Sequence, residues 1–112
     1  MIEESLQSTD EYILELARNG KTEELRAALH QQPSKQSIKD WAGDSLLNNA
    51  CWFGQKDLIV MLLTEFDADI NCMNKNKATP LHRATYNNNA DIVKILLDKG
   101  LSLSLPQLLT LS

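Results

Sequence analysis

The sequence predicts an all-α solenoid of stacked helix-turn-helix units joined by hairpin-like fingers, and three observations predict it. "DLIVMLL" at 57–63 returns as "DIVKILL" at 91–97, 34 residues later, and a period of that size marks a repeat array. Each copy is preceded by a short run of small and apolar residues and by a Gly or Asn break. The apolar stretches are two to three turns long, below the ~12 residues at which an isolated helix becomes even marginal, so neighbours must supply the stability.

Taken in order, "ILELARNGKTEELRAAL" sets Leu16 and Ala17 beneath Ala50 and Cys51, and Gly20 beneath Gly54. Residues 10–36 therefore read as an N-terminal capping unit, whose second stripe is interrupted by Glu23, Glu24 and Arg26 as a polar array end requires. Residues 37–70 form the second unit. Its first helix carries Leu47, Ala50 and Cys51, and its second carries Leu58, Ile59, Leu62 and Leu63 at the spacing of one buried face. Residues 71–100 form the third, with Leu81 and Ala84, then Ile92, Val93, Leu96 and Leu97.

The breaks at Gly20, Gly54 and Asn88 predict left-handed residues that end each first helix, since glycine has no Cβ clash and asparagine tolerates that conformation. Polar, turn-rich connections, "SIKDWAGDS" and "DADINCMNKNKA", predict fingers between units. "LLTEFDAD" holds one extra residue and no glycine after the second helix, which predicts an irregular helix end.

The third unit opens on a residue pair that propensity disfavours, Pro80 and His82. Thr79 supplies a capping hydroxyl, and Pro80 fits the first helical position, where its missing N–H is no loss. With Ala84, "TPLHRA" resembles the ankyrin-repeat family, whose unit of about 33 residues bears Thr-Pro-Leu-His-x-Ala. "ADIVKILLDKG", "DADIN" and "DWAGDS" extend the resemblance over about Asp10 to Gly100. It implies that the His82 ring bonds Thr79 and nearby backbone, a structural role. The second unit departs from the pattern, with Leu46 in the place of Pro80 and Asn48 in that of His82, so its helix start is expected to be less firmly held.

After Gly100 comes "LSLSLPQLLTLS", six leucines in twelve residues without a charge. Residues 101–112 are expected to cap the third unit through a truncated helix opened by Pro106, Gln107 to Leu111. The alternative is self-association through the Leu101–Leu111 tail, or contact with a missing neighbour, because a free apolar end invites a partner.

The ankyrin resemblance implies a protein-binding module that uses finger tips and the exposed, concave face of the first helices. Carried over by register, that surface holds Lys39, Trp41, Ala42 and Asp44 on one finger, and Met73, Lys75, Asn76 and Ala78 on the next. The first helices add Trp52, Phe53, Tyr86 and Asn87, and Arg18 and Asn19 extend the surface into the capping unit. Four of the six aromatic residues fall there, and large aromatics often carry binding energy. The competing reading is that Trp52 and Phe53 pack between repeats and that the lysines are solvated. The context of Asn71 in "LLTEFDADIN" looks like that of asparagines hydroxylated in ankyrin proteins; a plain turn role is the favoured reading.

Composition bounds the rest. The net charge of −4 comes from residues 1–33, and no basic cluster attracts phosphate, so nucleic acid is not an expected partner. The longest apolar run, 58–63, is far short of the ~20 residues a bilayer needs, so no membrane association is expected. The acidic start lacks a secretory signal, which with two isolated cysteines, Cys51 and Cys72, predicts reduced thiols and a cytoplasmic protein, the nucleus remaining open. Cysteine and histidine spacings fit no zinc site, and no phosphate loop, carboxylate pair or nucleophile–base arrangement is present, so no metal, no cofactor and no enzyme activity are expected. The expected function is non-enzymatic protein binding. Its alternative is an N-terminal regulatory ankyrin segment of a larger enzyme or transport protein.

Overall fold

The computed structural model describes residues 9–111, and from residue 101 onward the backbone alone. Six α-helices run through it: α1 (Asp10–Arg18), α2 (Thr22–Gln31), α3 (Leu46–Trp52), α4 (Lys56–Glu65), α5 (Pro80–Tyr86) and α6 (Ala90–Leu111). A 3-10 turn, Pro33–Ser37, follows α2, and among the described residues there is no strand, only a single bridge between Lys39 and Ser45.

The helices lie in two layers. The first helices α1, α3 and α5 pack on one another in sequence, and the second helices α2, α4 and α6 do the same behind them. Between the layers sits the core: of the residues predicted from the stripes, Leu16, Ala17, Leu47, Ala50, Cys51, Leu58, Ile59, Leu62, Ala84, Ile92 and Leu96 are buried, joined by Leu25 and Leu29. Leu63 and Val93 are half-buried, and Leu81 and Leu97 are exposed, because no described residue covers the outer face of the third repeat. Burial of the Cys51 thiol pushes its pKa up to about 12.

Local chemistry sets the helix ends. Gly20, Gly54 and Asn88 take positive φ, 70°, 73° and 59°, at the three equivalent breaks. At α5 the Thr79 hydroxyl accepts from the His82 backbone N–H (3.3 Å), while His82 Nδ1 lies 3.1 Å from the Thr79 backbone nitrogen, a reciprocal cap with Pro80 at the first turn. At α3 the Ser45 hydroxyl caps Asn48 N–H (3.1 Å), but the return bond is missing. Asn48 is instead fully buried and spans to the next finger, its Nδ2 donating to the Cys72 carbonyl (3.3 Å).

One expectation about helix ends is met and one changes. The end of α4 is irregular: Asp67 (φ 52°) is left-handed in the place of a glycine, and Ala68 N–H bonds six residues back, to the Leu62 carbonyl at 3.1 Å, where the first helices close five residues back. The correction is at the C-terminus. No separate helix opens at Pro106, because α6 continues unbroken from Ala90 to Leu111 through both Gly100 and Pro106. Gly100 keeps a helical conformation, and its Cα faces Ile70, where an added Cβ would sit 4.0 Å from Cδ1, an ordinary packing distance. A glycine ends a helix only when it turns left-handed, and this one rests on the preceding finger instead. The side chains expected to cap the array or to self-associate, 101–112, lie outside the described ones.

Candidate functional site

The fingers are built twice by the same device. Asp40 Oδ1 accepts from the backbone N–H of Ala42 (3.0 Å) and Asp44 (2.9 Å), and 34 residues on Asn74 Oδ1 accepts from Asn76 (2.8 Å) and Ala78 (2.9 Å). An Asx side chain that holds its own loop in this way fixes the tip without a strand. Gly43 (φ 83°) and Lys77 (φ 65°) occupy equivalent left-handed positions. The two tips are joined where Lys75 N–H donates to the Ala42 carbonyl at 3.0 Å. A Cβ on Gly43 would lie 2.9 Å from that Lys75 nitrogen, so the junction requires glycine.

On the first tip Trp41 is 86% exposed, with Lys75 as its counterpart on the next, and Met73, which precedes the second tip, is 56% exposed. Lys75 and Asn76 are exposed beside them, and Ala42 and Ala78 are half-buried beneath. Lys39 turns to the other side of its finger, where Nζ lies 3.3 Å from Cys72 Sγ. That side holds a cleft of about 330 Å3 lined by Ser37, Lys39, Leu46, Phe66, Asp69 and Cys72 among others. Asn71 is exposed in the turn that follows Asp69, whose Oδ1 accepts its backbone N–H at 2.9 Å.

The first-helix residues form a second cluster. Trp52 and Tyr86 occupy the same position of successive repeats and stack with ring centroids 5.1 Å apart and planes inclined by 28°. The Arg83 guanidinium lies 4.9 Å above the Trp52 ring. Asn87 donates its side-chain amide to the Trp52 carbonyl, and one repeat earlier Gln55 does the same to the Arg18 carbonyl at 2.6 Å. Trp52 is thus half-buried between repeats, whereas Tyr86, at 78% exposure, and Phe53 remain open.

Charges lock fingers to helices. Arg83 on α5 pairs with Asp44 on the finger of the second repeat, and Arg18 on α1 reaches Asp40 at 3.8 Å while its Nε donates to Asn49 Oδ1 at 3.1 Å. Asp44 is consequently buried, at 6% exposure, and works inside the stack rather than on its surface. Arg18 is half-buried in the same network, and Asn19 is exposed next to it.

Sequence reasoning missed Asp40, Asn49, Gln55 and Arg83 as the residues that hold this surface in place. The available signal was the shared register: Asp40 lies 34 residues before Asn74, and Arg18, Trp52 and Tyr86 form one column. The arrangement offers a rigid, mixed apolar and polar surface. It contains no group of three or more His, Cys, Asp or Glu side chains that could hold a metal ion among the described residues.

Comparison with known proteins places this geometry. The family described as ankyrin repeats (3 copies) matches residues 13–106. A Notch-regulated ankyrin repeat-containing protein of Xenopus laevis is 32% identical over 99 residues, which cover 86% of each chain. Alpha-latrocrustotoxin-Lt1a of Latrodectus tredecimguttatus is 41% identical over 58 residues, 52% of this chain. BCL-6 corepressor-like protein 1 of Homo sapiens is 31% identical over 84 residues, 75% of this chain. The chain spans only 4% and 5% of the lengths of the latter two.

Proposed function

The chain belongs to the ankyrin-repeat family, whose members are in general protein-interaction modules, and from that membership we propose that it binds a partner protein on the concave side of its stack. The observation that carries this reading is the exposed Trp41 on a fixed finger tip, together with the open Tyr86 on the first-helix layer. A large aromatic left in water on a rigid support is poised to bury area on binding with little ordering entropy lost. Binding is by surface complementarity, and no catalytic step is assigned. No helix among the described residues is long and apolar enough to cross a membrane. A cytoplasmic or nuclear site of action belongs to the same proposal.

Affinity capture with the wild-type chain beside a Trp41→Ala, Met73→Ala variant tests the reading. The variant is expected to lose its partner while keeping helicity and melting behaviour. Trp52 is unsuited to this experiment, because its ring supports the adjacent repeat through Tyr86 and Arg83. Undiminished capture by the double variant would place the contact elsewhere.

A further inference from the structure

The outer face of the third repeat is left open by the described residues. Residues related by the 34-residue period make the comparison internal to the molecule. In the second repeat Leu47 is 2% exposed, Asn48, Cys51 and Ile59 are fully buried, and Leu63 is half-buried. Their counterparts in the third are Leu81 (36% exposed), His82 and Thr85 (both exposed), Val93 (half-buried) and Leu97 (48% exposed). What the third repeat does for the second, no described residue does for the third. The opening is concave: a cleft of about 500 Å3 runs along Thr85, Asn88, Val93, Lys94, Leu97 and Asp98.

We propose that a second copy of this chain occupies that face, in a two-fold arrangement with the α6 helices antiparallel. Charge complementarity carries the choice of occupant. Lys94 and Asp98 are exposed, opposite in sign, one turn apart, and flank the apolar Val93 and Leu97. An antiparallel crossing about a two-fold axis brings each Lys94 to Asp98 of the partner subunit and sets Val93 and Leu97 against their equivalents, which makes the face self-complementary. Continuity supports it as well. The helix that bears these residues is 22 residues long, about 33 Å, and its sequence goes on with leucines at 101, 105 and 108, spaced four, four and three from Leu97. Leu81, Val93 and Leu97 lie outside the partner-binding patch proposed above, so the two surfaces are tested separately.

Sedimentation velocity on the full chain from micromolar to millimolar concentration provides the test. The expected result is a monomer–dimer equilibrium. Leu97→Glu should weaken dimerisation by about tenfold or more, the loss of a well-packed apolar anchor, with unchanged circular dichroism. Lys94→Asp should weaken it too, and the combined Lys94→Asp, Asp98→Lys swap should restore it, a rescue that no folding defect can imitate. A monomer at millimolar concentration overturns the proposal. So does mass that grows without limit, the mark of head-to-tail stacking, or a dimer indifferent to both Leu97→Glu and Lys94→Asp.

Discussion

The Arg83 guanidinium sits against the Asp44 carboxylate, its Nε 3.3 Å from Oδ1, and at the same time covers the Trp52 ring at 4.9 Å. One side chain of the third repeat therefore fixes both the finger and the first helix of the second. Removal of either charge strands the other in a mostly dry site. Arg83→Ala or Asp44→Ala is expected to lower stability by about 2–3 kcal/mol, and the double variant by less than the sum of the two. Urea melts of the four proteins in a mutant cycle measure this directly, and additive losses would show that the pair is not coupled.

The two tryptophans should behave in opposite ways. Trp41 is open to solvent, so Trp41→Ala is expected to change stability by no more than about 0.5 kcal/mol. Trp52 stacks on Tyr86 and lies beneath Arg83, and its replacement by alanine should cost about 2–4 kcal/mol. Thermal denaturation of the single variants separates the two, and equal losses would contradict the assignment of Trp52 to the repeat interface.

The thiols differ in the same sense. Cys51 is fully buried and its pKa is pushed up to about 12 by that burial, whereas Cys72 is half-buried beside a cleft. A thiolate-specific reagent at neutral pH should label Cys72 under native conditions and Cys51 only on unfolding. Mass spectrometry of the labelled peptides reads the outcome. Rapid native labelling of Cys51 would mean that the α3 layer opens locally.

Acid should loosen the link between the second helices. Glu65 accepts from Arg26 at 2.8 and 2.9 Å, and this bond holds its carboxyl below the ordinary range. A carboxylate with a lowered native pKa adds stability that is complete above its unfolded value, about 4.3, and is lost as pH falls through the native one. Glu65→Gln should therefore lower stability by a constant amount above about pH 4.3, and its gap to the wild type should close as pH falls through the native value. Because both groups face solvent, salt should shrink the difference.

The parts of this structure that were legible in the sequence are those fixed by neighbours in the chain. The Thr79–His82 cap and the left-handed Gly20, Gly54 and Asn88 follow from local backbone chemistry, and each is found where the repeat puts it. Most of the buried stripes follow from helical spacing, but spacing says nothing of what covers a face, and Leu81 and Leu97 stay exposed on the outer side of the third repeat. Asp67 escaped notice because an aspartate turns left-handed only when its context demands it, and glycine was the residue being sought. Gly100 misled for the reverse reason, since a glycine within a helix looks the same in sequence as one that ends it. Asp44 was read as a surface residue because its partner, Arg83, lies 39 positions away. Spacing shows which residues share a face, not which of them will pair across repeats.

The finger-tip side of the stack, and not its back, is where the proposed partner binds. A photo-crosslinking residue placed at Trp41 in one protein and at Val60, exposed on α4, in another tests it in a single experiment. Partner adducts from position 41 with none from position 60 are the predicted result. Adducts from position 60 alone would contradict it.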